Sequence, residues 1–240
     1  MSVLSLRLAG PLQSWGASAR FTRRTTESAP TKSAVIGMLA AAAGIERSDD
    51  ASLKPLAALR FAVRIDQPGT RTRDFQTAHH GVSGKSMPLS ERFYLADAVF
   101  VAAVEGDTTL LSGLHAALRN PVYAPFLGRR SCPPAQPVDL GLHHGTSLME
   151  VLGEVPWQAS AWYRRQHRDQ TDIELTVLRE ARDNEEDFAD TLRDQPVSFA
   201  AEHRRHALRT VVSDTVRITG PSPSRRPQHN PFDALPEESA

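Results

Sequence analysis

The order in which apolar-patterned segments follow one another constrains this chain most. Val3 to Leu8 (VLSLRL) alternates and reads as a strand, stopped by Ala9-Gly10-Pro11. A helix follows, with Thr31 as its N-cap after Pro30, and runs to about Ala43 before Gly44 ends it. Val35, Ile36, Leu39 and Ala43 form its apolar face. Leu53 to Leu59 reads as a short helix, Phe61 to Ile65 as a second strand and Phe93 to Val104 as a third. Thr108 to Leu118 is a second amphipathic helix and Val138 to Leu142 a further strand. Strand, helix, strand, strand, helix, strand is the split β-α-β order of a ferredoxin-like or RRM-like unit: a short antiparallel sheet with two helices on one side. Pattern alone also fits a generic α+β domain.

One interval does not fit that scheme. From Gln67 to about Arg92 the periodicity breaks into glycines, prolines and charges with few large apolar groups. Such a length exceeds an ordinary connection in a compact domain, so the segment is either functional or disordered. Beyond about Gly145 the character changes again. Ser147 to Val151 is helical or irregular, while Ile173 to Leu178 and Ala207 to Ile218 alternate as strands. The acidic stretch Asp183 to Asp190 reads as a solvated connection. The chain thus divides into a domain over 1–145, a small β-rich domain over 150–219 and a Pro- and Ser-rich disordered tail over 220–240.

Composition narrows the function classes. The 240 residues are 40% apolar, enough for a core, yet no apolar run reaches the roughly 18 to 20 residues that cross a bilayer. No signal-peptide pattern is visible at MSVLSLRLAG, so the expectation is a soluble, cytoplasmic protein with no membrane partner. A single cysteine, Cys132, rules out an internal disulfide and a cysteine-rich zinc site. Net charge is zero, which argues against coating nucleic acid by bulk electrostatics. The basic residues are nevertheless almost all Arg, with Lys only at 32, 54 and 85. Arg suits phosphate forks and base stacking; a GC-rich genome would give the same skew.

No nucleotide-binding glycine fingerprint, P-loop, HExxH or GxSxG elbow is present, and no cofactor is implied. His79-His80 and His143-His144 are adjacent pairs, which point to opposite faces of a strand and rarely share a metal; no metal site is expected. His79, His80 and Lys85 have the residue types for metal-independent RNA cleavage, but their spacing does not establish it. Arg clusters recur at Arg20/Arg23/Arg24, Arg71/Arg73, Arg129/Arg130, Arg164/Arg165/Arg168 and Arg204/Arg205. Each is a solvated face or, in loops with Gly, Ser, Thr and aromatics, a grip on single-stranded RNA. Trp15, beside Gln13 and Ser14, either stacks on a base or covers a sheet edge. The start of the first helix, with Lys32 and Ser33, is either a phosphate site or a cap and nothing more.

The blocks LRLAGPLQSWG, APTKSAVIGMLAAAAGI, RTRDFQTAHHG, RFYLADAVF and YAPFLGRRSCPP, in that order, resemble the CasD family, the fifth Cas family in its type I-E form and a member of the RAMP superfamily. The resemblance spans residues 1 to about 142 and weakens through 150–219. It implies an RRM-like N-terminal domain with an extended β-hairpin thumb over about 67–92 and a small C-terminal antiparallel β-sheet domain. It further implies a non-catalytic subunit of the CRISPR surveillance complex Cascade, in antiviral defence. That subunit caps the 5′ handle of the CRISPR RNA, contacts the backbone and large subunits, and lies near target DNA at the guide start. Expected RNA-binding residues are Gln13, Ser14 and Trp15; Arg23 and Arg24; Thr31, Lys32 and Ser33; Arg71, Arg73, Gln76 and Thr77; and Arg129, Arg130 and Ser131. Asp74 is expected to orient Arg73, and Phe75 to pack in the thumb or act as a wedge. A related subtype cuts precursor RNA with the homologous subunit, so a CRISPR-repeat endoribonuclease using His79 or His80 is the alternative.

Overall fold

The computed structural model describes residues 1–16, 22–182, 185 and 189–220. An antiparallel seven-stranded sheet dominates this mixed α+β fold. Its strands are β1 (Ser2–Ala9), β4 (Arg60–Gln67), β7 (Val99–Gly106), β8 (Asp139–His144), β9 (Asp172–Glu180), β10 (Asp190–Ser198) and β11 (Arg205–Thr219). They lie in the order β10-β11-β9-β4-β7-β1-β8. A smaller sheet is built on β6 (Ser90–Ala96), flanked by β5 (Thr70–Gln76) on one side and by the two-residue strands β2 (Leu12–Gln13) and β3 (Arg23–Arg24).

Both faces of the large sheet are covered. On one side Leu4, Leu6 and Leu8 of β1 meet Phe61 and Val63 of β4, Phe100 and Val104 of β7, and three helices: α1 (Lys32–Ala42), α2 (Asp50–Ala57) and α3 (Thr108–Arg119). On the other, Val3, Ala62, Val101 and Ala103 pack under α4 (Leu148–Glu154) through Leu148, Val151 and Leu152. Burial on both faces explains the continuous apolar run of β7, VFVAAV, which has no polar side to alternate with. Local chemistry sets the helix starts. Asp49 accepts from Ser52 N at 2.9 Å, Asp107 from Leu110 N at 2.9 Å, and Ser147 with Glu150 closes a capping box.

Several expectations change. Phe93 to Val104 is two strands rather than one: Asp97 takes φ 55°, and the chain leaves the small sheet for the large one. The irregular interval after Gln67 is an antiparallel ribbon, with Thr70 opposite Ala96 and Gln76 opposite Ser90. Gly69 (φ 72°) makes the turn into it, where an added Cβ would lie 2.6 Å from Ala96 O. The C-terminal strands do not form a sheet of their own. β9 pairs with β4, Val63 opposite Leu178, so β9–β11 prolong the large sheet at the edge that β4 would otherwise leave open. The tail past 220, Arg20 and part of the acidic stretch 183–190 lie outside the described residues. Among the described residues no helix is long and apolar enough to cross a membrane.

Two buried ion pairs tie the segment after α4 to β4 and the added strand β11 to β10. Arg64, fully buried on β4, donates to both carboxylate oxygens of Asp66 at 2.7 and 2.9 Å and to the backbone oxygens of Leu152, Val155 and Pro156. Asp66 also accepts from Gln158 N at 2.6 Å, and Trp157 Nε1 donates to Asp66 O. Arg209 of β11 forks onto Asp194 of β10, with both bonds at 2.8 Å.

Candidate nucleic-acid interface

Strand alternation sorts the side chains of the small sheet onto two faces. Arg73 is opposite Phe93, Arg71 opposite Leu95 and Arg23 opposite Glu91, so one face carries Arg23, Arg71, Arg73, Phe75, Glu91 and Phe93. The other carries Arg24, Arg92, Asp74, Gln76 and Tyr94. The guanidiniums of Arg23 and Arg71 lie over the Phe93 ring at 5.4 and 5.6 Å, and that of Arg73 over Phe75 at 4.8 Å. These contacts set planar cations over aromatic rings on an exposed ribbon, a combination that suits both phosphates and base faces. Only Glu91 offers them a carboxylate on the ribbon, at 3.9 Å from Arg23 and from Arg73, too long for a strong bond. Arg71 also donates to Thr26 O at 2.5 Å.

Arg129 joins the second face from the loop after α3. Its guanidinium covers Tyr94 at 4.7 Å and donates to Arg24 O at 3.0 Å. Its other terminal nitrogen and Arg92 Nε are buried and find no acceptor among the described residues. Unmatched buried donors of this kind suit an anionic ligand. Arg130 and Ser131 are exposed on the same loop, and Cys132 is buried, its thiol pushed up by burial.

The QSWG loop braces the structure from inside. Gln13 donates to Leu8 O and Ala98 O, Trp15 Nε1 donates to Gln13 Oε1 at 3.1 Å, and Ser14 Oγ donates to Phe93 O at 3.0 Å. Trp15 is 0% exposed, so neither ring face is open to a base here. This loop also interlocks with the GRRSC loop. Ser14 N donates to Leu127 O, and Gly128 (φ 82°) is so close that an added Cβ would lie 1.8 Å from Ser14 O.

The first helix does not present a free N-terminus. Lys32 N donates to the buried carboxylate of Asp194 at 2.7 Å, and Lys32 Nζ donates to Glu180 at 2.7 Å. A carboxylate from β10 thus occupies the position in which a phosphate was expected. Thr31, Lys32 and Ser33 are all buried, and Thr31 makes no side-chain cap bond. Burial pulls the Lys32 ammonium below its usual value, against the pull of Glu180.

On the ribbon, Gln76 donates to Asp74 at 2.8 Å, while Arg73 projects from the opposite face. Asp74 therefore orients Gln76 rather than Arg73. Phe75 is 48% exposed under Arg73, and Thr77 is exposed. At the ribbon tip His80 Nδ1 accepts from Ser83 N at 3.2 Å and His79 Nδ1 faces Gly84 O at 3.3 Å. Among the described residues no three His, Cys, Asp or Glu side chains gather as a metal-holding group. The structure thus gathers Arg23, Arg24, Arg71, Arg73 and Arg129 on the two faces of the small sheet, with the buried Gln13, Ser14 and Trp15 bracing that sheet from inside and the buried PTKS residues engaged by β10 instead. Arg92, Phe93 and Tyr94 belong with the arginines. Sequence reasoning passed over them because a strand assignment fixes the alternation along one strand but not the register that sets its side chains beside those of its partners.

Residues 3–212 match the family described as CRISPR-associated protein (Cas_Cas5). The chain is 38% identical over 169 residues to the CRISPR system Cascade subunit CasD of Escherichia coli (strain K12), covering 63% of this chain and 75% of that protein. Its fold is similar to that of a chain in a solved "CRISPR RNA-guided surveillance complex", with a TM-score of 0.70 and 30% identity over 90% of this chain and 91% of that one. It is also similar to a solved "Cas protein", with a TM-score of 0.67 and 35% identity over 91% and 99% of the two chains.

Proposed function

The chain belongs to the Cas5 family of CRISPR-associated proteins, and from that premise we propose that it is a non-catalytic Cascade subunit that holds the 5′ handle of a CRISPR RNA. The observation that carries this reading is the pair of guanidinium-and-aromatic faces on the small sheet. Strands β3, β5 and β6 carry five arginines against two carboxylates, and Arg129 adds a sixth guanidinium. Stacked, under-neutralised guanidiniums on an exposed ribbon suit single-stranded RNA, which is gripped through phosphates and unstacked bases.

We read the strand order β4-β7-β1-β8, with α1 and α3 on one face, as the ferredoxin-like, RRM-like unit of residues 1–145, and the β5–β6 ribbon as its thumb. On this reading residues 150–219 widen the platform. The backbone and large subunits of Cascade are its protein neighbours, with target DNA near the guide start. Crosslinking of guide RNA in the assembled complex, mapped by residue, tests it. Crosslinks from the leading nucleotides are expected on β5, β6 and the Arg129–Ser131 loop. If they fall on other subunits alone, the reading fails.

A further inference from the structure

We propose that the helix α5 (Ala161–Gln166) carries a second nucleic-acid contact, in which Arg164, Arg165 and Arg168 take phosphates of a single-stranded segment and Trp162 stacks on a base. This rests on the reading of the chain as a holder of guide RNA and extends it to residues outside the ribbon.

The helix is mounted on an aromatic pedestal. Trp157, 7% exposed and bonded to Asp66 O, meets Tyr163 edge-on at 6.0 Å and His167 at 5.6 Å, and these two rings lie 4.9 Å apart. Tyr163 and His167 stand at i and i+4 and form the inner face. Trp162 and Arg165, at i and i+3, share another. Trp162 is 46% exposed, held edge-on against Tyr163 at 5.6 Å. Arg164 and Arg165 form no ion pair among the described residues, and Arg168 has only its neighbour Asp169 at 3.8 Å.

Position favours nucleic acid as well. Ser160, the N-cap of α5, donates through N and Oγ to Gln67 Oε1 at 3.1 and 2.8 Å. Gln67 is the last residue of β4 before the ribbon and donates in turn to Asp97 O at the ribbon's other root. The patch is therefore fixed at the base of the ribbon. Three guanidiniums within six residues of an exposed indole, with Asp169 as their one ion-pair partner among the described residues, match a polyanion with planar bases.

The test is titration of the full chain with labelled 5′-handle RNA, and with single-stranded DNA of the same sequence, between about 50 and 200 mM salt. R164A/R165A should lower the log–log salt slope by about 1 to 2, close to 0.7 per lost phosphate contact on a single strand. W162A should weaken binding about five-fold or more with the slope unchanged, and W162F should recover most of it. Melting temperatures equal to the parent's check that the fold is intact. R71A/R73A reports the ribbon separately. If it weakens binding while the α5 variants behave as the parent, the α5 contact is overturned and the ribbon reading stands. If the α5 variants lose affinity and R71A/R73A does not, the ribbon reading falls and the α5 contact stands. Losses on RNA and DNA alike support recognition of phosphates and bases; losses on RNA alone support the same contact with a 2′-hydroxyl added. Parental nucleic-acid binding by α5 variants that no longer co-purify with neighbouring subunits makes this a protein surface and overturns the proposal.

Discussion

Asp194 concentrates more of this protein's internal electrostatics than any residue the motifs pointed to. Its buried carboxylate accepts from Lys32 N and from two nitrogens of Arg209, tying α1, β10 and β11 together. Removing one partner of a buried ion pair leaves the other uncompensated. Asp194→Ala should therefore cost about 3 to 5 kcal/mol in denaturant unfolding; a loss below about 1 kcal/mol would mean that water already screens the pair. Trp15 teaches the same lesson from the apolar side. Its neighbours Gln13 and Ser14 read as a polar loop around an aromatic, a pattern shared by a stacking platform and a buried plug. The bonds from Gln13 to Leu8 and Ala98 make it the plug.

Elements were legible where burial is one-sided or complete, and less so where a strand depends on a partner. β1, β4, α1 and α3 show in the sequence because each has its own apolar stripe. β10 does not, because DTLRDQPVS has little apolar content and stands only through pairing with β11. α5 was missed for a related reason: six residues with no buried member show no periodicity. At the start of the connection after β9, Glu185 binds Arg179 through two bonds at 2.6 and 2.9 Å. The bonds from Arg179 hold its carboxyl down at about 2, from an ordinary 4.5. A folded-state value below the unfolded one stabilises above the unfolded value and loses that effect as pH falls through the folded one. Urea midpoints of the parent and Glu185→Gln should differ at pH 6 and converge as pH falls from about 4.5 toward 2. A difference independent of pH would assign the effect to packing.

The whole molecule is a large sheet from which a small basic sheet projects. Net neutrality hides this asymmetry, because the carboxylates pair inside the platform, as Asp66, Asp194 and Glu180 do, while the ribbon's arginines remain under-neutralised. The tip histidines bear on which kind of subunit this is. His79 and His80 are exposed, each with its Nδ1 engaged in the turn, and a holding subunit leaves its RNA whole. Purified chain incubated with its repeat RNA in EDTA should bind it without yielding products. Site-specific cleavage that His79→Ala or His80→Ala abolishes would establish the endoribonuclease instead.

Local rules carried β1, β4, α1 and α3, the odd interval after Gln67 and the family blocks, because hydrophobic period and turn chemistry act over a few residues. Tertiary structure decided that Asp194 occupies the α1 N-terminus, that β9–β11 join the main sheet, and that Arg23, Arg71 and Arg73 share a face with Phe93. Each of those outcomes depends on groups 20 to 162 positions apart in the chain, as from Arg73 to Phe93 and from Lys32 to Asp194. Pairing register and burial, not local preference, bring such groups together.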